Sequence, residues 1–190
     1  MISEIFKSTV TLFVILDVLG LIPIYLSFVK NTSKKSMDEC AHKTILYSGM
    51  IMLAFLLLGS SILKFFSIPI QDFKIAGGLI LLIIGIKFVL GLRVLPKGKR
   101  MQSFAIVPFA TPLLVGPGTL TSLIILVDSY GLVIPIIAAL INILIIWIML
   151  RNARNIFKVL GYQGSEVVTR IMGLLITAIA VGFIRTGWAG

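Results

Sequence analysis

Six stretches of this chain, about 8–29, 43–63, 75–95, 103–127, 131–150 and 167–184, are apolar and long enough to cross a lipid bilayer. No other feature narrows the possible folds so far. A span needs about 20 mostly apolar residues to cover a hydrocarbon core roughly 30 Å thick. Lipid offers no partner for an exposed amide or carbonyl, and an α-helix satisfies its backbone within one segment. Composition agrees: 58% of the 190 residues are hydrophobic, 13% are charged, and the mean hydropathy is +1.12. A water-facing exterior on a domain of that size needs more polar surface than this. The expected fold is an all-α integral membrane protein, six transmembrane helices in a single domain covering residues 1–190. The N-terminal flank "MISEIFK" is nearly neutral, the apolar run continues to Val29, and no small-residue cleavage signal follows, so the first stretch reads as a span, not a signal peptide.

The gaps between spans hold the charges and turn formers that helix ends require. The first, third and fifth loops and their flanks carry Lys30, Lys34, Lys35, Lys43, Lys87, Arg93, Lys97, Lys99, Arg100, Arg151, Arg154, Lys158 and Arg170, 13 cations in all. The opposite side has 4, namely Lys7, Lys64, Lys74 and Arg185. The positive-inside bias puts the odd loops in the cytoplasm and both termini outside the cytoplasmic membrane. The net charge of +10 is not a nucleic-acid footprint, because the cations lie between apolar segments without interleaved aromatics. The expected surroundings are a lipid bilayer, with no nucleic acid.

Catalytic and cofactor chemistry find little to work with. Cys40 and His42 are the single cysteine and the single histidine, too few for a zinc site or an internal disulfide, and both read as loop positions. "GLRVLPKGKR" lacks the spacing of a phosphate-binding loop. No nucleophile with a neighbouring base and no metal cluster stands out, so neither an enzyme nor a cofactor is expected.

A shift of 96 residues lays Gly20 on Gly116 and "KIAGGLILLI" on "RIMGLLITAI", with Ile75, Gly77, Leu79, Ile80 and Ile83 each meeting the same residue. The second and fifth segments do not match at that shift. The repeat would divide the chain at about 1–95 and 103–190, three crossings each. An odd number of crossings turns the second half upside down, and inverted repeats with midplane sites at broken helices are typical of secondary transporters.

Both repeats would open on an interrupted helix. "DVLGLIP" places Asp17, Gly20 and Pro23 inside the first span. Proline removes an amide hydrogen and clashes with the preceding turn, while glycine tolerates angles other residues resist. "PLLVGPGTLT" places Pro112, Gly116, Pro117 and Gly118 in the fourth, with a helix expected to restart at about Thr119. Irregular backbone at that depth implies a cavity or a close helix contact. Amide groups at the restart, with the hydroxyls of Thr119 and Thr121, would suit a carboxylate. Asp17 is the one acid deep in a span, where ionisation costs roughly 2.5–3.5 kcal/mol. It would accept a substrate ammonium, carry a proton, or fix helix packing by hydrogen bonding. Asn142, also mid-span, reads as a helix–helix bond.

The ordered pair of motifs, with Asp17, Gly20 and Pro23 in the first and Pro112, Gly116 and Pro117 in the second, resembles the MarC family, which includes small neutral amino acid transporters of the SnatA type. The resemblance spans essentially the whole chain. Val18 stands where the family usually has a proline. It implies proton-linked movement of glycine, alanine or similar amino acids across the cytoplasmic membrane. The expected substrate site comprises Asp17, Gly20, Pro23, Gly116, Pro117, Gly118, Thr119 and Thr121, with Asp17 carrying the proton. A passive channel, an exporter of another small solute and a non-transporting membrane scaffold remain the alternatives.

Overall fold

The structure, a computed structural model, describes residues 1–28, 34–92 and 115–189. Seven helices lie within them: α1 (Ile2–Leu16), α2 (Val18–Phe28), α3 (Lys34–Phe65), α4 (Ile70–Val89), α5 (Pro117–Tyr130), α6 (Val133–Arg151) and α7 (Ala153–Trp188). Four stretches are long and apolar enough to cross a membrane: Ile2–Leu26, Lys34–Phe65, Val133–Arg151 and Ala153–Trp188. At 20 residues α4 has the length too, with Asp72 in its first turn and Lys87 in its last. The expected six spans thus stand at four clear ones among the described residues. The first part of the fourth span, with Thr111 and Pro112, lies outside them, as do Lys30, Arg93, Lys97, Lys99 and Arg100.

Two stretches expected as loops are helical. The third helix begins at Lys34, so Cys40 and His42 belong to it. Met37 and Ala41 are buried one turn apart, and Lys43 pairs with Glu39 at 2.7 Å in the same register. Such i,i+4 contacts extend a helix beyond its membrane-crossing part. The His42 ring lies 5.7 Å from that of Trp147 on α6. Likewise α7 starts at Ala153 and turns sharply at Gly161, whose φ of 62° suits glycine.

Aliphatic side chains of α1, α2, α3, α5 and α6, among them Leu12, Leu16, Ile22, Met52, Leu123 and Ile146, form the main core. Asn142 ties α6 to α1, its side-chain amide donating to the Thr9 carbonyl at 3.1 Å, as a mid-span amide was expected to do. The Tyr25 hydroxyl donates to the Met37 carbonyl at 2.9 Å and joins α2 to α3.

Against this core α4 and α7 pack along a seam of small residues. Added Cβ atoms on Gly78, Gly85 and Gly187 would lie 2.9, 2.9 and 2.7 Å from the main-chain oxygens of Ala180, Gly173 and Gln71. The partners run in opposite order, so the two helices are antiparallel. Small residues let backbones approach where lipid supplies no hydrophobic drive between helices. Ion pairs sit at opposite ends of the bundle: Arg151 to Asp38 at 3.8 Å, and Lys74 to Asp128 at 2.7 Å.

Candidate functional site

The first span breaks at Asp17, not at Gly20 or Pro23. Asp17 sits at φ 38°, ψ 48°, closes α1 and precedes α2. Aspartate and asparagine tolerate this left-handed geometry better than other non-glycine residues. Its Oδ1 accepts the Gly20 N–H at 3.4 Å, in the manner of an N-cap serving the third residue of α2. Pro23 lies inside α2, where it withholds the donor that the Leu19 carbonyl would otherwise receive.

The second break resolves differently. Gly116, extended at φ −81°, ψ 178°, caps α5, and Pro117 occupies its first turn, so the helix restarts at Pro117 and not near Thr119. Proline is favoured there because its fixed φ suits a helix and its missing N–H would have no intrahelical partner. The first ladder bond runs from the Leu120 N–H to the Gly116 carbonyl, with Gly118 in the turn ahead of it.

Both breaks open on one cavity of about 180 Å³. The α1–α2 junction contributes Asp17, Gly20, Pro23 and apolar neighbours; α5 contributes Gly116, Pro117, Gly118 and Thr119. Leu81, Ile84 and Phe88 of α4 form an apolar wall, with Gly91 and Leu92 just beyond. From α7 come Ser165, Glu166 and Thr169. The volume falls below the roughly 300–1,000 Å³ of pockets for larger ligands. Seven of the eight sequence-predicted site residues therefore meet at one place. Thr121 is not among the lining residues: its hydroxyl donates to the Pro117 carbonyl at 2.9 Å, and its methyl presses on Gly77 of α4.

Ser165 and Glu166 were hidden in the sequence because residues up to Glu166 were read as loop, whereas Thr169 lay inside the expected span 167–184 without being singled out. The signal available was polar residues at helical spacing, Ser165 with Thr169 and Glu166 with Arg170. Glu166, just outside the expected span 167–184, adds a second carboxylate to the cavity lining, while Asp17 stays the one acid deep in an expected span. Thr169 stands beside Asp17, since a Cβ on Gly20 would strike both the Asp17 Oδ2 and the Thr169 hydroxyl oxygen.

The hydroxyl protons on α7 are already used. Ser165 donates to the Gly161 carbonyl at 2.8 Å, and Thr169 to the Ser165 carbonyl at 3.0 Å. What these hydroxyls offer a ligand is lone pairs. The side of the cavity formed by α2 and α7 is thus rich in acceptors, while the start of α5 presents the positive end of a helix dipole. Such a site can take a small solute that is cationic at one end and anionic at the other. No group of three or more metal-ligating side chains occurs among the described residues.

Comparison with known proteins agrees with this architecture. The family model described as MarC family integral membrane protein matches residues 2–190. A UPF0056 membrane protein of Methanocaldococcus jannaschii is 36% identical over 191 residues, covering 95% of this chain and 93% of the relative. The UPF0056 membrane protein of Pyrococcus abyssi is 32% identical over 186 residues, covering 95% and 92%. The UPF0056 membrane protein YhcE of Escherichia coli is 30% identical over 197 residues, covering 97% and 92%. No solved structure matches the chain.

Proposed function

The chain belongs to the MarC family of integral membrane proteins, and we propose that it is a proton-coupled secondary transporter of small neutral amino acids of the glycine and alanine type. One observation carries the reading: two interrupted helices converge on a small cavity with acceptors on one side and the positive end of a helix on the other. A zwitterion supplies the matching charges. Its ammonium would face Asp17 and Thr169, and its carboxylate the first turn of α5. Glycine and prolines near the breaks leave room for a short side chain and little more.

The same reading treats the halves as inverted repeats that rock about this site. The meeting of the two interrupted helices at one cavity supports it. The helix starts after Asp17 and Gly116 differ by 99 residues, close to the shift of 96 read from the sequence.

In this reading Asp17 carries the proton, binding it on one side of the membrane and releasing it on the other as access alternates. The protein would reside in the cytoplasmic membrane with both termini outside and its basic loops in the cytoplasm. No cofactor is invoked, and the function is carriage, not catalysis. Counterflow in proteoliposomes tests the proposal. Vesicles preloaded with unlabelled alanine should transiently accumulate labelled alanine, and Asp17→Asn should lose proton-driven accumulation and exchange only with a raised KM. A channel would show no counterflow. Absence of counterflow with alanine, glycine and serine, from protein shown to be folded, would remove the amino-acid reading.

A further inference from the structure

We propose that Glu166 and Arg170 form a second, outer binding site at the rim of the cavity, where the charged ends of a zwitterionic solute are captured before it reaches Asp17. This rests on the amino-acid reading above and names a step within it.

Four observations converge on the rim. Glu166 lines the same cavity as Asp17, one helical turn along α7 from Arg170. The Glu166 carboxylate and the Arg170 guanidinium pair at 2.8 Å, with side chains 36% and 53% exposed. The end of α4 is brought against them by Gly91, where a Cβ would lie 3.2 Å from Arg170 Nη2 and 3.4 Å from Glu166 Oε1. That end is closed by paired main-chain bonds, from the Leu92 N–H to the Lys87 carbonyl at 2.8 Å and from the Gly91 N–H to the Phe88 carbonyl at 3.1 Å. With Gly91 at φ 69°, this is a Schellman closure of α4.

The chemistry follows from how such a pair is held. A half-exposed i,i+4 pair is weak and screened by water, so a ligand exchanges with it at little cost. The negative end of α4 favours a cation beside Gly91 and would keep Arg170 in place when Glu166 turns to another partner. A carboxylate can then lie against the guanidinium, whose planar fork binds such groups in two bonds. An ammonium takes the place of Arg170 at Glu166. Solutes lacking either charge lose half of this recognition. Charges are exchanged between partners, and no covalent bond is made or broken.

Alanine counterflow at varied concentration, measured for native protein and variants in proteoliposomes, tests the site. Glu166→Gln and Arg170→Gln should each raise KM for alanine about two- to fivefold, the scale of an exposed ion pair, with the rate at saturating alanine nearly kept. The charge-exchanged Glu166→Arg/Arg170→Glu protein should recover little of the native KM, because it sets a carboxylate against the negative end of α4. Glu39→Gln, which breaks an exposed i,i+4 pair on α3 away from the cavity, should leave KM unchanged. If a single variant fails to fold, Glu166→Gln/Arg170→Gln leaves no lone charge and should still show the raised KM. Native counterflow with unaltered KM in every rim variant would overturn the outer site alone. Loss of maximal rate without a KM change would assign the pair to structure and also overturn it. Absence of counterflow in the native protein would remove the amino-acid reading and this site together.

Discussion

Asp17 and Gly116 end their breaks in different backbone conformations, and the residue that follows each explains the difference. A proline disfavours helical angles in its predecessor and drives it to extended backbone. Gly116, ahead of Pro117, is extended; Asp17, ahead of Val18, is free to adopt the left-handed region and turn its carboxyl towards Gly20 and Thr169. Val18→Pro should therefore pull Asp17 out of that region and re-aim the carboxyl. We expect folded protein with a KM for alanine changed several-fold, read by counterflow. Gly20→Ala places a methyl against both the Asp17 carboxyl and the Thr169 hydroxyl, and should cost about 1–3 kcal/mol. Thermal unfolding in detergent checks it, and adding Thr169→Ala should restore part of the loss. The acid and the Gly–Pro punctuation were legible because lipid makes both conspicuous. Which residue bears the break was not legible, since that depends on the neighbour's sterics and on Thr169, distant in sequence.

At the scale of helices, α7 contains its own control. In Gly173→Ala the new methyl would lie 2.8 Å from Phe88 Cβ and 2.9 Å from both the Gly85 carbonyl oxygen and the Val89 nitrogen. Opening the seam to admit it should cost about 1–3 kcal/mol. Gly182→Ala meets nothing within 4 Å and should be neutral, or stabilise by about 0.5–1 kcal/mol through helix propensity. Paired melting curves decide the matter, and equal effects at the two positions would contradict the seam. Hydropathy identified the apolar middle of α3 and α7 but not their polar ends, because a window tuned to lipid ignores turns held by pairs such as Glu39–Lys43 and Glu166–Arg170. That omission hid Ser165 and Glu166 of the cavity lining.

Across the whole molecule, Asp38 with Arg151 and Lys74 with Asp128 mark two ends, in step with alternating crossings. On a Cys40→Ser background, Lys35→Cys should react with an impermeant thiol reagent only from the cytoplasmic side, and Phe66→Cys only from outside. Both residues are exposed and lie at opposite ends of α3. The reverse pattern would invert the proposed orientation. The seam between α4 and α7 also bears on how this molecule can diverge. At Gly78, Gly85, Gly173 and Gly187 an added methyl would meet main-chain atoms of the opposite helix. Those atoms are common to every amino acid, so a second mutation cannot trim them away. A crowded side chain can be relieved by shortening its neighbour; here that remedy does not exist. Variation at these four positions must move a whole helix, and descent should leave them nearly untouched while the lipid-facing residues around them drift.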